Sequence, residues 1–309
     1  MNTLTRRSDG YTRRDVGRLV LGGASGILAG ATGTSRLSAA PIDSRIRGVQ
    51  IGAITYSFRA LGDAQAIVRA MVSMGLGEAE LMSNDAEALA GAPSGPGNSD
   101  ALRAWRQHAT QETWSAVRRV FDGAGIELRS LCYNMNVKTF SDADIEYGLI
   151  MAKQLGVKVM STSTQVSMAR RVAPFADKHQ IVVAYHGHAR VEQPDEVSTP
   201  DTFAACLSHS KYHAINLDIG HFTAAGYDAV AFLREQHARI THLHLKDRRT
   251  PAHGAANVAW GQGDTPIAQV LQLLSREKWD IPANIEFEYE GDPMVEVPKC
   301  FEFCRRALG

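Results

Sequence analysis

The sequence predicts a (β/α)8 TIM barrel, because strand-like and helix-like segments alternate without a composition break through residues 46–309. Strict alternation of this kind is typical of a parallel sheet, and eight strand–helix units are the number that closes a barrel. With 44% hydrophobic residues among 309, the chain can bury the core of one large domain. An open, doubly wound sheet is the alternative, but no GxGxxG turn follows the first strand.

The predicted elements follow from the apolar segments and from the turn residues between them. In chain order, the predicted strands are 48–58, 78–82, 126–134, 157–163, 181–188, 214–221, 239–247 and 283–289. The predicted helices are 63–74, 100–121, 141–155, one that ends near 179, 199–208, 227–237, 266–277 and a last one close to the C-terminus. Residues 83–100 are rich in Gly, Pro and Ser and are too long for a simple connection, so we expect a pocket-shaping or subunit-contact loop there.

The N-terminal residues differ in composition from the rest of the chain. Arg13 and Arg14 precede a weakly apolar run, rich in Gly and Ala, that ends in small residues near Ala40. This pattern predicts a twin-arginine signal peptide over residues 1–40 and hence an exported, periplasmic protein. The run is short and interrupted by glycine, so we expect cleavage rather than a permanent membrane span. A disordered tail and an uncleaved anchor are the alternatives.

Charge and cysteine content narrow the class of partner. Lys plus Arg and Asp plus Glu both number 33, so the chain has no net basic field to hold nucleic acid or an anionic membrane. We therefore expect a small-molecule ligand. None of the four cysteines stands in a CxxC pair, and Cys300 and Cys304, one helical turn apart, are expected to pack in the core. The sequence leaves a homo-oligomer open.

Polar residues recur at the inward-facing positions of the late strands. Alternate residues of a barrel strand face the interior, and here the apolar residues take the outward positions. Burying ionisable groups is costly unless each one is paired or bound. These groups also fall at the carboxyl ends of strands, where the active sites of such barrels lie. The inward set is His186, His188, Asn216, Asp218, His242, His244, Lys246, Asn284, Glu286 and Glu288.

Three residues of this set suggest a metal site. Asp218, His244 and Glu286 come from three successive strands, and a fourth group from the preceding strand would complete a set of nitrogen and oxygen ligands. Carboxylate and imidazole without thiolate suit Mn²⁺, Mg²⁺ or Co²⁺, and Zn²⁺ also fits. We expect His242 to be a hydrogen-bonded core residue. Glu80, inward on the second strand like its neighbour Glu78, is open to both a structural and a functional interpretation.

The order of several motifs resembles a known family. The runs "HGH", "LDIGH", "THLHLKD", "GQGD" and "NIEFEYEGDP" are similar to those of xylose isomerase-like TIM barrels of the sugar phosphate isomerase/epimerase type. The resemblance implies one divalent metal held by a Glu, an Asp, a His and a second Glu. Asp218 and His244 match the middle two ligands, and Glu286 matches the last, with Glu288 as an alternative. His186 stands where the family has its first Glu.

The resemblance also implies roles in chemistry. In the ketose 3-epimerases the first and last glutamates transfer protons, so the histidine at 186 leaves inosose dehydratases and enzymes that eliminate from 3-keto-sugars as alternatives. A metal-dependent endonuclease of the same superfamily is disfavoured by the neutral charge and the export signal. His221, three residues after Asp218, matches a position that contacts substrate.

The expected function is a divalent-metal-dependent isomerase or epimerase of a keto-sugar or polyol. The reaction begins with removal of the proton next to a carbonyl, and Lys246 is placed to stabilise the enediolate. Glu286, His186 or His221 would transfer the proton. Further substrate contacts are expected from His188, His221, Trp260 and Glu288. A metal-dependent lyase and a sugar-binding barrel without catalysis are the alternatives, and export favours an unphosphorylated substrate.

Overall fold

The computed structural model describes residues 39–95 and 99–309, and it confirms the predicted barrel. A short strand, β1 (Arg45–Ile46), pairs antiparallel with β2, and eight parallel strands then form the barrel. The barrel strands are β2 (Val49–Ile54), β3 (Glu78–Met82), β4 (Glu127–Cys132), β5 (Val159–Thr162), β6 (Val182–His186), β7 (His213–Asp218), β8 (Ile240–Leu245) and β9 (Ala283–Ile285).

The barrel closes because β9 pairs with β2, where Ile51 lies opposite Ala283. On the other side of β9, Asn284 lies opposite His244 of β8. His244 in turn lies opposite Asp218 at the end of β7. The register thus brings the carboxyl ends of β7, β8 and β9 side by side.

Helices surround the barrel, and several begin at a residue whose side chain caps the first turn. Asp63 accepts hydrogen bonds from two backbone N–H groups at the start of α1, and Ser141 accepts one from the backbone N–H of Asp144 at the start of α5. The helices are α1 (Ala64–Met74), α2 (Ser83–Leu89), α3 (Ser99–His108), α4 (Gln111–Ala124), α5 (Asp142–Leu155), α6 (Met168–His179), α7 (Pro200–Leu207), α8 (Ile219–Ala224), α9 (Ala229–Gln236), α10 (Ile267–Glu277) and α11 (Pro293–Leu308).

The region around residues 83–121 differs from the prediction. The predicted loop contains α2, and the single predicted helix is two helices, α3 and α4. The break falls at Thr110, which forms a reciprocal capping box with Thr113 and so starts a new helix. Trp105 of α3 and Trp114 of α4 pack edge to face with ring centroids 5.9 Å apart, and this contact holds α3 against the barrel helices.

The predicted signal peptide, residues 1–40, lies outside the described residues apart from its last two. It therefore stays a prediction. Within the described ranges, no helix is both long and apolar enough to cross a membrane.

Glu78 is a buried acid at the start of β3. Its side chain is fully buried and lies beside Asn284. Burial, reinforced by the charge of Glu80, raises the pKa of Glu78 to about 8. The carboxyl group is therefore mostly protonated at neutral pH.

We expect Glu78 to make the free energy of unfolding depend on pH. Between pH 4.5, its ordinary pKa, and about 8, the carboxyl ionises in the unfolded chain only, so stability falls as the pH rises through this range. The full loss is about 5 kcal/mol. In Glu78→Gln this loss should be absent. Urea unfolding of both proteins at low and high pH measures the difference, with Glu112→Gln, an exposed acid of α4, as the control. Equal pH dependence in wild type and Glu78→Gln would contradict the assignment.

Candidate active site

A cavity of about 420 Å³ opens at the carboxyl ends of the barrel strands. This is the end at which barrels of this type place their active sites. Six of the predicted site residues line the cavity: His186, His188, His221, His244, Glu286 and Glu288. Two more predicted residues, Asp218 and Lys246, are buried directly beside them.

The structure brings the four predicted metal ligands together. Ligand atoms of His186, Asp218, His244 and Glu286 all lie within 4.8 Å of one another, and all four side chains are buried. His186 Nε2 is 3.9 Å from Asp218 Oδ2, and His244 Nδ1 is 3.0 Å from Glu286 Oε2. Two imidazoles and two carboxylates at these separations fit a divalent cation after a small contraction.

Asp218 has two duties, one for each carboxylate oxygen. It is the residue before α8, and its Oδ1 accepts a hydrogen bond of 2.7 Å from the backbone N–H of His221. This cap ends β7 at Asp218, earlier than the predicted strand 214–221. The other oxygen, Oδ2, is left to face the ligand set. Burial raises the pKa of Asp218 to about 6, so the group is still ionised at neutral pH.

Glu80 orients the ring of His244 through a contact at Nε2. Its Oε2 is 2.6 Å from His244 Nε2 and 3.2 Å from His242 Nε2. Burial opposes ionisation of Glu80, but the charges of the two histidines hold its pKa well below the usual range. Because Nε2 of His244 is engaged by Glu80, only Nδ1 faces the ligand set. A carboxylate behind a ligating histidine is the usual way in which proteins fix the ring and its tautomer.

The ammonium group of Lys246 lies among three carboxylates. Its Nζ is 3.1 Å from Asp218 Oδ2, 2.9 Å from Glu286 Oε2 and 2.5 Å from Glu288 Oε2. Burial favours the neutral amine, but the three acids outweigh it and raise the pKa of Lys246. A side chain at Gly220 would collide with the backbone oxygen of Lys246, so α8 approaches β8 this closely only with glycine at that position.

His188 belongs to a carboxylate–imidazole pair at the cavity wall. Its Nδ1 is 2.6 Å from Oε1 of Glu196, a residue of the loop between β6 and α7. A hydrogen bond from Nδ1–H to this carboxylate leaves Nε2 as the unprotonated nitrogen, available as a base. Glu196 could not be predicted from the sequence, because a loop has no periodicity from which its side-chain direction could be deduced.

His186 and His221 are both neutral but differ in their surroundings. Burial, together with nearby positive charge, holds the pKa of each well below the usual range. His186 Nδ1 has no hydrogen-bond partner among the described residues. His221 meets Lys246 Nζ at 3.1 Å with Nε2, and Arg248 with Nδ1. Since a neutral imidazole has only one acceptor nitrogen, the lone pair of His221 is committed to a cation.

Trp260 lies apart from the other predicted residues. Its ring packs edge to face on Phe303 of α11, with centroids 5.7 Å apart, and it does not line the cavity. The cause is Asp247, which accepts hydrogen bonds from the backbone N–H groups of Gly261 and Gly263 and folds the loop away. The aromatic side chain that lines the cavity is Tyr56, just after β2, which the rule for strand ends could have identified.

Fold and site together define a (β/α)8 barrel protein with a polar, histidine-rich cavity at the carboxyl ends of its strands. The chain belongs to the family of xylose isomerase-like TIM barrels, whose family model matches residues 99–306. A search of curated proteins gives no match.

Several solved structures share the fold of this chain. A probable 3-DHS dehydratase, AsbF of Bacillus anthracis, shares 16% identity with a TM-score of 0.62, over 82% of this chain and 98% of that one. A sugar phosphate isomerase/epimerase of Parabacteroides distasonis shares 16% with a TM-score of 0.59, over 83% and 95%. The IolI protein with a bound zinc atom shares 13% with a TM-score of 0.59, over 84% and 96%. At these identities the similarity concerns the fold.

Proposed function

We propose that this protein is an enzyme that removes the proton next to a carbonyl group of a keto-sugar or related polyol, with one divalent metal at His186, Asp218, His244 and Glu286. The observation that carries the proposal is the convergence of these four ligand atoms within 4.8 Å, at the end of the barrel that binds substrates. A bound divalent ion would polarise the carbonyl as a Lewis acid. The zinc atom in IolI agrees with such a site in this fold.

In this proposal His188 is the base. His188 lines the cavity, and the nitrogen that Glu196 leaves free, Nε2, would take the proton, while Glu196 holds the ring and stabilises the imidazolium that forms. Glu286 is a weaker candidate, because its Oε2 is already in contact with His244 Nδ1 and Lys246 Nζ. The ammonium group of Lys246 stabilises negative charge that develops on the substrate oxygen.

A single base favours some outcomes over others. Returning the proton to the adjacent carbon on the same face gives an isomerase, whereas inversion at carbon needs a second base on the opposite face. Because the proposal has one base, His188 paired with Glu196, the site supports isomerisation better than epimerisation. Elimination is the second candidate function, since the same protonated histidine can give its proton to a leaving oxygen, and the probable dehydratase AsbF has this fold. If the signal peptide operates, an unphosphorylated substrate is expected.

Proton exchange with solvent tests the proposal. In D2O with Mn²⁺, we expect the protein to introduce deuterium next to the carbonyl of an unphosphorylated keto-sugar or 3-keto-glycoside, and we expect chelation to abolish the exchange. Mass spectrometry detects the label, and the products separate isomerisation, which keeps the substrate's atoms, from elimination, which releases water or an alcohol. A metal-bound protein that exchanges no proton in any substrate of this class would instead support the sugar-binding barrel.

A further inference from the structure

The ammonium group of Lys246 uses the same oxygen atoms that the proposed function assigns to the metal. Asp218 Oδ2 is 3.1 Å from Lys246 Nζ, and Glu286 Oε2 is 2.9 Å away. These two atoms also face the histidine ligands, as the contacts of His186 Nε2 and His244 Nδ1 describe. A metal ion lies about 2.0–2.2 Å from each carboxylate oxygen. A carboxylate oxygen can contact both cations from different directions, but an ammonium group and a divalent ion held on the same two oxygens repel each other, so each weakens the binding of the other.

Besides the two buried carboxylates, the ammonium group contacts Glu288, which is the nearest of the three and accepts a hydrogen bond from it. Its Oε2 is 2.5 Å from Lys246 Nζ, and its side chain is 21% exposed, against 0% for Asp218 and 7% for Glu286. Glu288 lines the cavity, so this partner lies on the side from which substrate enters. The lysine side chain has four flexible methylene groups, so a small rotation can carry its charge from the buried pair towards Glu288.

The charges of the cluster indicate that both cations can be held together. Three carboxylates and one ammonium group leave a net charge of −3 + 1 = −2, which a divalent ion neutralises. Complete expulsion of the lysine is therefore unnecessary. Only its contacts with the two metal-facing oxygens have to lengthen.

We propose that Lys246 is a built-in competitor of the metal ion, and that Glu288 is the positioning residue that retains its ammonium group when the metal binds. This inference rests on the proposed function for the identity of the metal site. With a metal ion bound, the ammonium group of Lys246 would lie further from the buried carboxylates and closer to Glu288 at the cavity wall, where a substrate oxygen can contact it.

Affinity for Mn²⁺ measures this competition without any substrate. By calorimetry we expect Lys246→Met to bind Mn²⁺ about 10- to 100-fold more tightly than wild type, because the metal no longer competes with an ammonium group for the two buried carboxylates. Glu288→Gln should have the opposite effect and weaken binding about tenfold, since the displaced ammonium group loses the partner that retains it. In the Lys246→Met background, Glu288→Gln should change nothing.

Wild type, the two single variants and the double variant form a double-mutant cycle, and their affinities for Mn²⁺ separate the outcomes. Equal affinity of wild type and Lys246→Met overturns the inference alone. Equal weakening by Glu288→Gln in both backgrounds also overturns it, because Glu288 would then be a metal ligand itself. If none of the four proteins binds Mn²⁺ or Co²⁺, the proposed function falls together with the inference.

A second readout and a control complete the test. Without metal, Lys246→Met should melt at a lower temperature than wild type, and Mn²⁺ should raise its melting temperature by more. Lys178→Met removes a surface lysine that contacts Glu146 and should leave the affinity for Mn²⁺ unchanged. Should Lys246→Met not fold, Glu288→Gln still decides, since an affinity equal to that of wild type overturns the inference.

Discussion

Alanine at both Asp218 and His244 should abolish metal binding and, with it, the exchange of substrate protons. We expect metal content to fall from about one ion per chain to almost none, and the exchange rate to fall roughly 1000-fold or more, since a Lewis acid contributes several kcal/mol. Elemental analysis and deuterium incorporation measure the two effects. Wild-type metal content in the double variant would mean that the site lies elsewhere.

The control for this variant is Asp228→Ala. Asp228 caps α9 with its carboxylate as Asp218 caps α8, but it takes no part in the ligand set. Loss of a helix cap costs about 1 kcal/mol. Asp228→Ala should therefore lose a similar amount of stability from capping while it keeps the metal and the activity. The comparison separates loss of ligands from loss of a helix start.

Replacing His188 by glutamine should slow proton removal while leaving the metal in place. The variant keeps a polar side chain but has no titratable nitrogen, and loss of a general base typically costs about 100- to 10,000-fold in rate. We expect Glu196→Gln to have a smaller effect in the same direction, because the ring loses its orienting carboxylate. Deuterium exchange at saturating substrate and Mn²⁺ measures both rates.

A second carboxylate–imidazole pair provides the control. His179 Nε2 lies 2.9 Å from Glu146 Oε1 at the end of α6, and neither residue lines the cavity. His179→Gln should leave the exchange rate unchanged. If His188→Gln exchanges protons as fast as wild type, the base is another group, and Glu286 becomes the first candidate.

The strand period explains why much of the site could be predicted from sequence. Side chains alternate along a strand, so Asp218, His244 and Glu286 had to face the interior once the apolar residues took the outward positions. Their strands are neighbours in the barrel, and the register brings their side chains together. The barrel itself followed from the order of the segments, because eight consecutive parallel units have few other ways to bury both faces of a sheet.

Other features depend on contacts that periodicity does not contain. Glu196 lies in a loop, and its partnership with His188 depends on how that loop folds back. Trp260 was expected to contact the substrate. Asp247 instead holds the loop that contains Trp260 away from the cavity by accepting a hydrogen bond from a backbone N–H of that loop. The sequence likewise does not predict which carboxylate Lys246 contacts, because a long flexible side chain at a strand end can reach any of several. In each case the local sequence allows several side-chain contacts, and the tertiary structure determines which one forms.

The double duty of Asp218 affects how related sequences should be interpreted. If the proposed metal site is correct, a relative that had lost it would still need this aspartate to start α8, so selection for folding alone would retain it. His186 has no comparable second task, as its Nδ1 is unpartnered within the described residues. Among diverging relatives, a change at position 186 would therefore indicate that the proposed chemistry has been lost. Retention of the aspartate at position 218 would not show that this chemistry remains.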